Sequence, residues 1–115
     1  MTFHLVLFRP RPDLSDTDRE ELLDAMRAAA RGIASVRRFE IGARVANPPQ
    51  YVLGGFPDFP YVAWLEFDDE AGLHAYLSDP LHVTLGRRFN DAAEAALIYD
   101  FNRIAEITLQ SGTPG

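Results

Sequence analysis

The stretch FHLVLFR at residues 3–9 decides the fold, because apolar side chains occupy both of its alternating faces. Pro10 and Pro12 close the run, as expected where a strand ends. Successive side chains of a strand point to opposite faces, so the stretch forms two rows. One row is Phe3, Leu5, Leu7, and the other is His4, Val6, Phe8. A strand of this kind is buried on both faces.

A second stretch with two apolar faces is YVAWLEF at residues 61–67, with Val62 and Trp64 on one face. A chain of 115 residues can build one modest core, but its helices can cover only one face of a sheet. The face that carries Trp64 and the Phe3 row therefore needs another sheet to cover it. We expect a homodimer whose two sheets pack face to face.

Helix signals lie between and after these strands. A Ser15 cap and apolar spacing predict a helix over residues 15–31, and Asp68 or Asp69 begins a short helix that runs through Leu77. Asp79 followed by Pro80 begins a third helix, which we extend to about residue 96. Weaker strand patterns cover residues 35–45, with a bulge at Gly42, and residues 97–101.

The order strand, helix, strand, strand, helix, helix, strand is typical of an α+β, ferredoxin-like domain of βαββα(α)β type. We place this domain at residues 1–103 and a C-terminal tail at residues 104–115. The segment 47–60 holds four prolines but also Tyr51, Phe56 and Phe59. Long apolar loops in compact domains are usually functional. We therefore expect the segment to line a pocket entrance or the partner subunit.

Composition excludes several classes of function. The formal charge is −6 and no basic run exceeds Arg87 and Arg88, so neither nucleic acid nor an anionic membrane is an expected partner. All 11 basic residues are arginine and there is no cysteine, which excludes Schiff-base and thiol chemistry. The first twelve residues have neither a signal-peptide nor a membrane-span pattern, and we expect a cytoplasmic protein.

The most informative short motif is Asp79-Pro80-Leu81-His82. A proline at the first helical position puts His82 in the first turn, where the helix N-terminus disfavours positive charge and keeps imidazole neutral. Tyr76 could face the same space, which gives a general base and a phenol without metal. The alternative is structural: His82 bonds to Asp79 at the helix start, and Tyr76 is a core aromatic.

His4 lies on the row that the helices should cover, so it is either a satisfied core residue or converges with His82 on a cavity. The three histidines lack HxH or HxxxH spacing, so we expect no metal site. Glycine-rich phosphate loops and nucleophile-elbow motifs are absent, and we expect no cofactor.

The chain resembles the stress-responsive dimeric α/β barrel (Dabb) domain over about residues 3–102. The resemblance is carried by short blocks in the right order: HLVLFR at residues 4–9, FEIG at 39–42, LEF at 65–67, AYL at 75–77, DPLH at 79–82 and IYDF at 98–101. It implies the ferredoxin-like fold and the dimer.

Within that family the chain is similar to the plant polyketide (olivetolic acid-type) cyclase branch, which closes a linear poly-β-ketone by an aldol step. The similarity implies that His82 is the general base, Tyr76 a hydrogen-bond donor and His4 a pocket residue. An apolar pocket for a small, hydrophobic, carbonyl-rich ligand would be shaped by Val6, Phe8, Leu22, Met26 and Ile98. Two alternatives stay open: a noncatalytic, stress-responsive or ligand-binding protein, and a cofactor-free monooxygenase on a related barrel.

Overall fold

The computed structural model describes residues 1–46 and 58–108. In these residues the strands and helices follow one another in the predicted order. The elements are β1 (Thr2–Pro10), α1 (Asp16–Gly32), β2 (Arg38–Ala43), β3 (Tyr61–Phe67), α2 (Glu70–Ser78), α3 (Pro80–Ala92) and β4 (Ala93–Asn102). The strands form one antiparallel sheet in the order β2-β3-β1-β4. This is the ferredoxin-like α+β fold.

Each helix begins at a side-chain cap that the sequence signals. The Ser15 hydroxyl accepts a hydrogen bond from the Asp18 backbone N–H at 3.1 Å, and Asp69 accepts one from Gly72 at 2.9 Å. Asp79 caps α3 through the Leu81 N–H at 2.8 Å, with Pro80 at the first helical position. Such caps each stabilise a helix by about 1 kcal/mol.

The core lies between one face of the sheet and the three helices. Phe67 and Leu65 are its largest fully enclosed side chains, and Ala29 of α1 is completely buried against them. Thr2 and His4 are the polar residues of the described chain that are buried on this face, at 2% and 6% exposure. A histidine is therefore fixed inside the core, next to the helices.

The opposite face of the sheet has no helix over it. Its central rows hold half-buried apolar side chains, while Leu97, Tyr99 and Phe101 of β4 are 40%, 51% and 50% exposed. The pairing register puts Leu5 between Trp64 and Tyr99, so the apolar residues of three strands form one continuous surface. This is the uncovered face expected from the sequence.

The expected bounds of the third helix and the second strand were wrong, and so was the expected bulge. The third helix ends at Ala92 rather than near residue 96, because the next residues pair with β1 and start β4 at Ala93. The second strand is shorter than residues 35–45. There is no bulge at Gly42, which pairs in register with Val62; the irregularity in the sheet is at Arg9 and Pro10 of β1.

One expected segment is described only in part. Of the segment 47–60, residues 47–57 lie outside the described residues, and the end that is described is held by Arg44. The Arg44 guanidinium pairs with Asp58, and its backbone N–H bonds to the Pro60 carbonyl at 2.8 Å. In the described part of the chain, no helix has the length and apolarity needed to cross a membrane.

Candidate active site

The corner between α2 and α3 fixes the orientation of His82. The residue occupies the third position of α3, as the Asp79-Pro80 start predicts. Its Nδ1 lies 3.0 Å from the carbonyl oxygen of Leu77, near the end of α2. A carbonyl only accepts hydrogen bonds, so Nδ1 carries the hydrogen and, in the neutral ring, Nε2 carries the free lone pair. The His82 backbone N–H donates to the Asp79 carbonyl at 2.9 Å, as the structural interpretation of the motif expects, while the ring bonds to Leu77.

The Tyr76 ring packs against three other rings at this corner. The Tyr76 ring centroid is 4.6 Å from that of His82 and 5.7 Å from that of His4. Phe67 contacts the third side of the Tyr76 ring at 5.4 Å. Tyr76 is only 2% exposed, and no hydrogen bond joins its hydroxyl to another described residue. The phenol is therefore held against two imidazoles by packing.

His4 is oriented by a carboxylate that the sequence analysis missed. Its Nδ1 is 2.5 Å from Oδ1 of Asp100, the residue opposite it in the β1–β4 pairing. A carboxylate accepts, so this ring also carries a hydrogen on Nδ1, and the lone pair of its neutral form is on Nε2. A signal for Asp100 was present: strand alternation puts it on the same face of β4 as Ala96 and Ile98.

Burial shifts the acidity of two of these groups. Removal from water raises the pKa of Tyr76 well above its ordinary value, so the phenol stays protonated. The pKa of His82 is lowered, chiefly by burial and further by the nearby His4, while the Leu77 carbonyl and Asp79 oppose the shift. Burial therefore favours the neutral imidazole.

A cavity of about 230 Å³ lies between the sheet and the helices beside these rings. His4, Tyr76 and His82 all line it, so the structure brings the three predicted site residues together. Of the predicted pocket residues, Val6, Met26 and Ile98 line this cavity as well. Ile98 is 53% exposed, so the cavity opens along β4. Its wall is apolar, apart from the site residues and Asn90.

Phe8 and Leu22, the other two predicted pocket residues, line a neighbouring cavity of about 140 Å³. Both side chains are 5% exposed and belong to the core between the sheet and the helices. Met26 lines both cavities. The five residues therefore surround two adjoining spaces instead of one.

The described residues hold no group of three or more histidines and carboxylates that could bind a metal ion. What they do bring together is a neutral imidazole with a free Nε2, a protonated phenol and a second oriented imidazole around an apolar space. Such a set can remove a proton next to a carbonyl, stabilise the resulting oxyanion and return the proton.

A family model described as the stress-responsive A/B barrel domain (Dabb) matches residues 3–103 of the chain. No curated protein sequence matches the chain.

Solved structures share the fold at low sequence identity. A Dabb family protein with a ferredoxin-like fold from Mesorhizobium loti is 23% identical, with a TM-score of 0.70 over 90% of this chain and 97% of its own. A hydroxynitrile lyase from Passiflora edulis is 13% identical, with a TM-score of 0.74 over 92% and 96%. A dimeric ferredoxin-like protein of unknown function from Thermobifida fusca is 18% identical, with a TM-score of 0.69 over 87% and 88%.

Proposed function

The chain belongs to the stress-responsive A/B barrel (Dabb) domain family, and we propose that it is a cofactor-independent acid–base enzyme of polyketide cyclase type. It closes a linear, carbonyl-rich chain by an intramolecular aldol step. The observation that carries the proposal is the hydrogen bond from His82 Nδ1 to the Leu77 carbonyl, because it leaves Nε2 as the proton acceptor beside the cavity.

The reaction needs two proton transfers that one histidine can make. His82 Nε2 removes a proton from the carbon next to a carbonyl, and the bond electrons move onto the carbonyl oxygen as an enolate. The enolate carbon then attacks a second carbonyl of the same molecule and forms the new carbon–carbon bond. The alkoxide that results takes the proton back from the His82 imidazolium, which restores the neutral base.

Tyr76 supplies the hydrogen bond to the enolate oxygen. Its raised pKa keeps the phenol protonated, and its hydroxyl has no hydrogen bond to another described residue, so it is free to donate to a ligand. In an apolar cavity such a donor is worth more than in water. His4 donates its Nδ1 hydrogen to Asp100, so the Nε2 lone pair of the neutral ring makes it the second candidate base, packed against the Tyr76 ring.

One structural neighbour supports chemistry of this broad kind. The hydroxynitrile lyase from Passiflora edulis has the same fold, and its name assigns it a lyase activity. At its low identity it supports the capacity of the fold for such a reaction, and the residue roles here rest on the geometry of this chain.

The functional form in this proposal is a homodimer, located in the cytoplasm and composed of the domain at residues 1–103. The Thermobifida fusca neighbour is described as dimeric. The uncovered sheet face, with Trp64 at its centre and Tyr99 and Phe101 half exposed, is the surface that a second copy would bury.

A second candidate function is noncatalytic binding of a small hydrophobic molecule, which the apolar wall of the cavity favours. The experiment that separates the two is deuterium exchange at the carbon next to the carbonyl of methyl hexyl ketone in heavy water, followed by proton NMR. An acid–base enzyme accelerates this exchange over buffer, and a binding protein does not.

The matched variants are His82→Gln and His74→Gln, since His74 is an exposed histidine on α2 away from the cavity. We expect His82→Gln to lower the exchange rate by about two to four orders of magnitude and His74→Gln to leave it unchanged. Exchange by the parent protein at the buffer rate contradicts catalysis on simple ketones and favours the binding function. Equal acceleration by the parent and His82→Gln makes this histidine structural.

A further inference from the structure

The two cavities lie one after the other along β1, on the face of the sheet that the helices cover. His4 and Val6 line the larger cavity, and Phe8 and Pro10 line the smaller one. A strand rises about 3.3 Å per residue, so His4 and Phe8 are roughly 13 Å apart along the sheet. A linear molecule lying parallel to β1 would pass through both spaces.

The two spaces share a lining side chain, and a second pair of side chains from their linings is in contact. Met26 lines both, and Phe8 of the smaller cavity meets Phe89 of the larger one edge to face, with ring centroids 5.3 Å apart. Methionine is unbranched and has three rotatable side-chain bonds, so it can change rotamer without moving the backbone. Met26 can therefore adapt to a ligand that extends from one cavity into the other.

The smaller cavity is lined mainly by apolar side chains and Tyr61, and its one charged lining residue is Arg19 of α1. All 17 acidic side chains lie within the described residues, and none of them comes within 4.0 Å of this guanidinium. Most other arginines are paired; Arg88, for example, bonds to Glu21 at 2.8 Å. An unpaired, exposed guanidinium at the edge of an apolar cavity matches a ligand with an apolar body and an anionic end.

We propose that the smaller cavity is a second subsite, and that the ligand is a linear oxo carboxylate whose carboxylate pairs with Arg19 while its carbonyl reaches His82. The location of the carbonyl rests on the proposed function; the carboxylate subsite does not. The larger cavity alone, at about 230 Å³, is below the 300 Å³ or so of a typical ligand pocket, and the two together exceed it. The apolar part of the ligand between its carboxylate and its carbonyl would then contact Met26.

The test uses decanoate and decanol, which share a chain length and differ in charge, measured by isothermal titration calorimetry at low salt and below micelle formation. We expect decanoate to bind more tightly than decanol, and Arg19→Gln to weaken decanoate binding by about threefold to tenfold without affecting decanol. The control is Arg31→Gln, an equal charge change at an unpaired, exposed arginine of the same helix. It should change neither affinity.

A second variant tests the cavity instead of the charge. Ile41 is 41% exposed on the edge strand β2 and lines the smaller cavity, so Ile41→Trp can fill that space with little effect on the core. We expect it to weaken both decanoate and decanol. Decanoate binding that neither Arg19→Gln nor Ile41→Trp weakens, or no decanoate binding at all, overturns the second subsite. Either result leaves the ketone-exchange test of His82 independent, so the two proposals can fail separately.

Discussion

His4 Nδ1 lies 2.5 Å from Asp100 Oδ1, across the pairing of β1 and β4. His4 is almost fully buried and lines the cavity, whereas the Asp100 side chain is 43% exposed. The pair thus connects the inside of the core to the protein surface. The exposed carboxylate fixes which nitrogen of the buried ring faces the ligand, because it accepts from only one of them.

Replacement of Asp100 by alanine should release the His4 ring from a single tautomer. We expect the ring of the parent protein to carry its hydrogen on Nδ1, and the Asp100→Ala ring to populate both tautomers, as measured by nitrogen-15 NMR of the imidazole. Glu94→Gln on the same strand is the control, because Glu94 bonds to Arg9 rather than to a histidine. An unchanged His4 tautomer in Asp100→Ala would show that packing alone orients the ring.

Tyr76→Phe should lower the rate of ketone exchange by about tenfold while changing stability by less than about 1 kcal/mol. In the proposed mechanism the hydroxyl stabilises the enolate, so its removal should affect turnover more than ligand binding. It makes no hydrogen bond to another described residue, so the folded protein loses little. The measurements are kcat and KM of exchange and urea unfolding. A loss confined to KM, or a large loss of stability, would assign Tyr76 to binding or packing.

The pH dependence of exchange should follow the shifted acidity of His82. Its pKa is lowered by burial, so the imidazole is still neutral at a pH where an ordinary histidine has begun to take up a proton. After subtraction of the buffer rate, kcat/KM should therefore fall only below about pH 6.5, the ordinary histidine value.

At the alkaline end the same profile should stay level. Burial raises the pKa of Tyr76 above the ordinary tyrosine value of about 10, so the phenol is still a donor there. Half-maximal kcat/KM above about pH 6.5, or a decline between pH 8 and 10, would contradict the assigned roles of the histidine and the tyrosine.

Trp64→Arg should break the dimer. The side chain lies at the middle of the uncovered sheet face, where burial of a charge against a second sheet is costly. By sedimentation, the parent protein should have twice the 12.9 kDa mass of one chain, and the variant should shift towards the monomer. The control is Val83→Arg, a 46% exposed apolar residue of α3 that lines neither cavity, and circular dichroism checks the fold of both variants. A monomeric parent protein would contradict the dimer.

Local signals predicted the helix starts well, because Ser15, Asp69 and Asp79 act on the backbone within three residues of themselves. They failed at the end of α3. The residues after Ala92 are three alanines and a glutamate, all favourable in a helix, yet they form β4 because Arg9 and Phe8 of β1 pair with Ala95 and Ala96. A pairing between residues more than eighty positions apart cannot be deduced from local spacing.

The site residues also fall into those that local sequence signals predicted and those that depend on the tertiary fold. The tetrapeptide that starts α3 predicted His82, and helical spacing predicted Tyr76 on the inner side of α2. Asp100 was missed, because its role depends on the register of β4 against β1. The two-part shape of the pocket was missed as well, since it depends on how Met26 and Phe8 pack after the helices lie on the sheet.

Gly86 lines the larger cavity from the middle of α3, and a Cβ added there would meet no atom within 4 Å. Glycine inside a helix destabilises the protein by roughly 0.5–1 kcal/mol relative to alanine, so the chain keeps a less stable residue at a position where larger ones fit. The size of the side chain at position 86 can thus set how large a ligand the cavity accepts. Larger side chains at this position would exclude larger ligands while stabilising the helix. Ligand selectivity could therefore change by substitution at position 86 without replacement of the residues proposed to transfer protons.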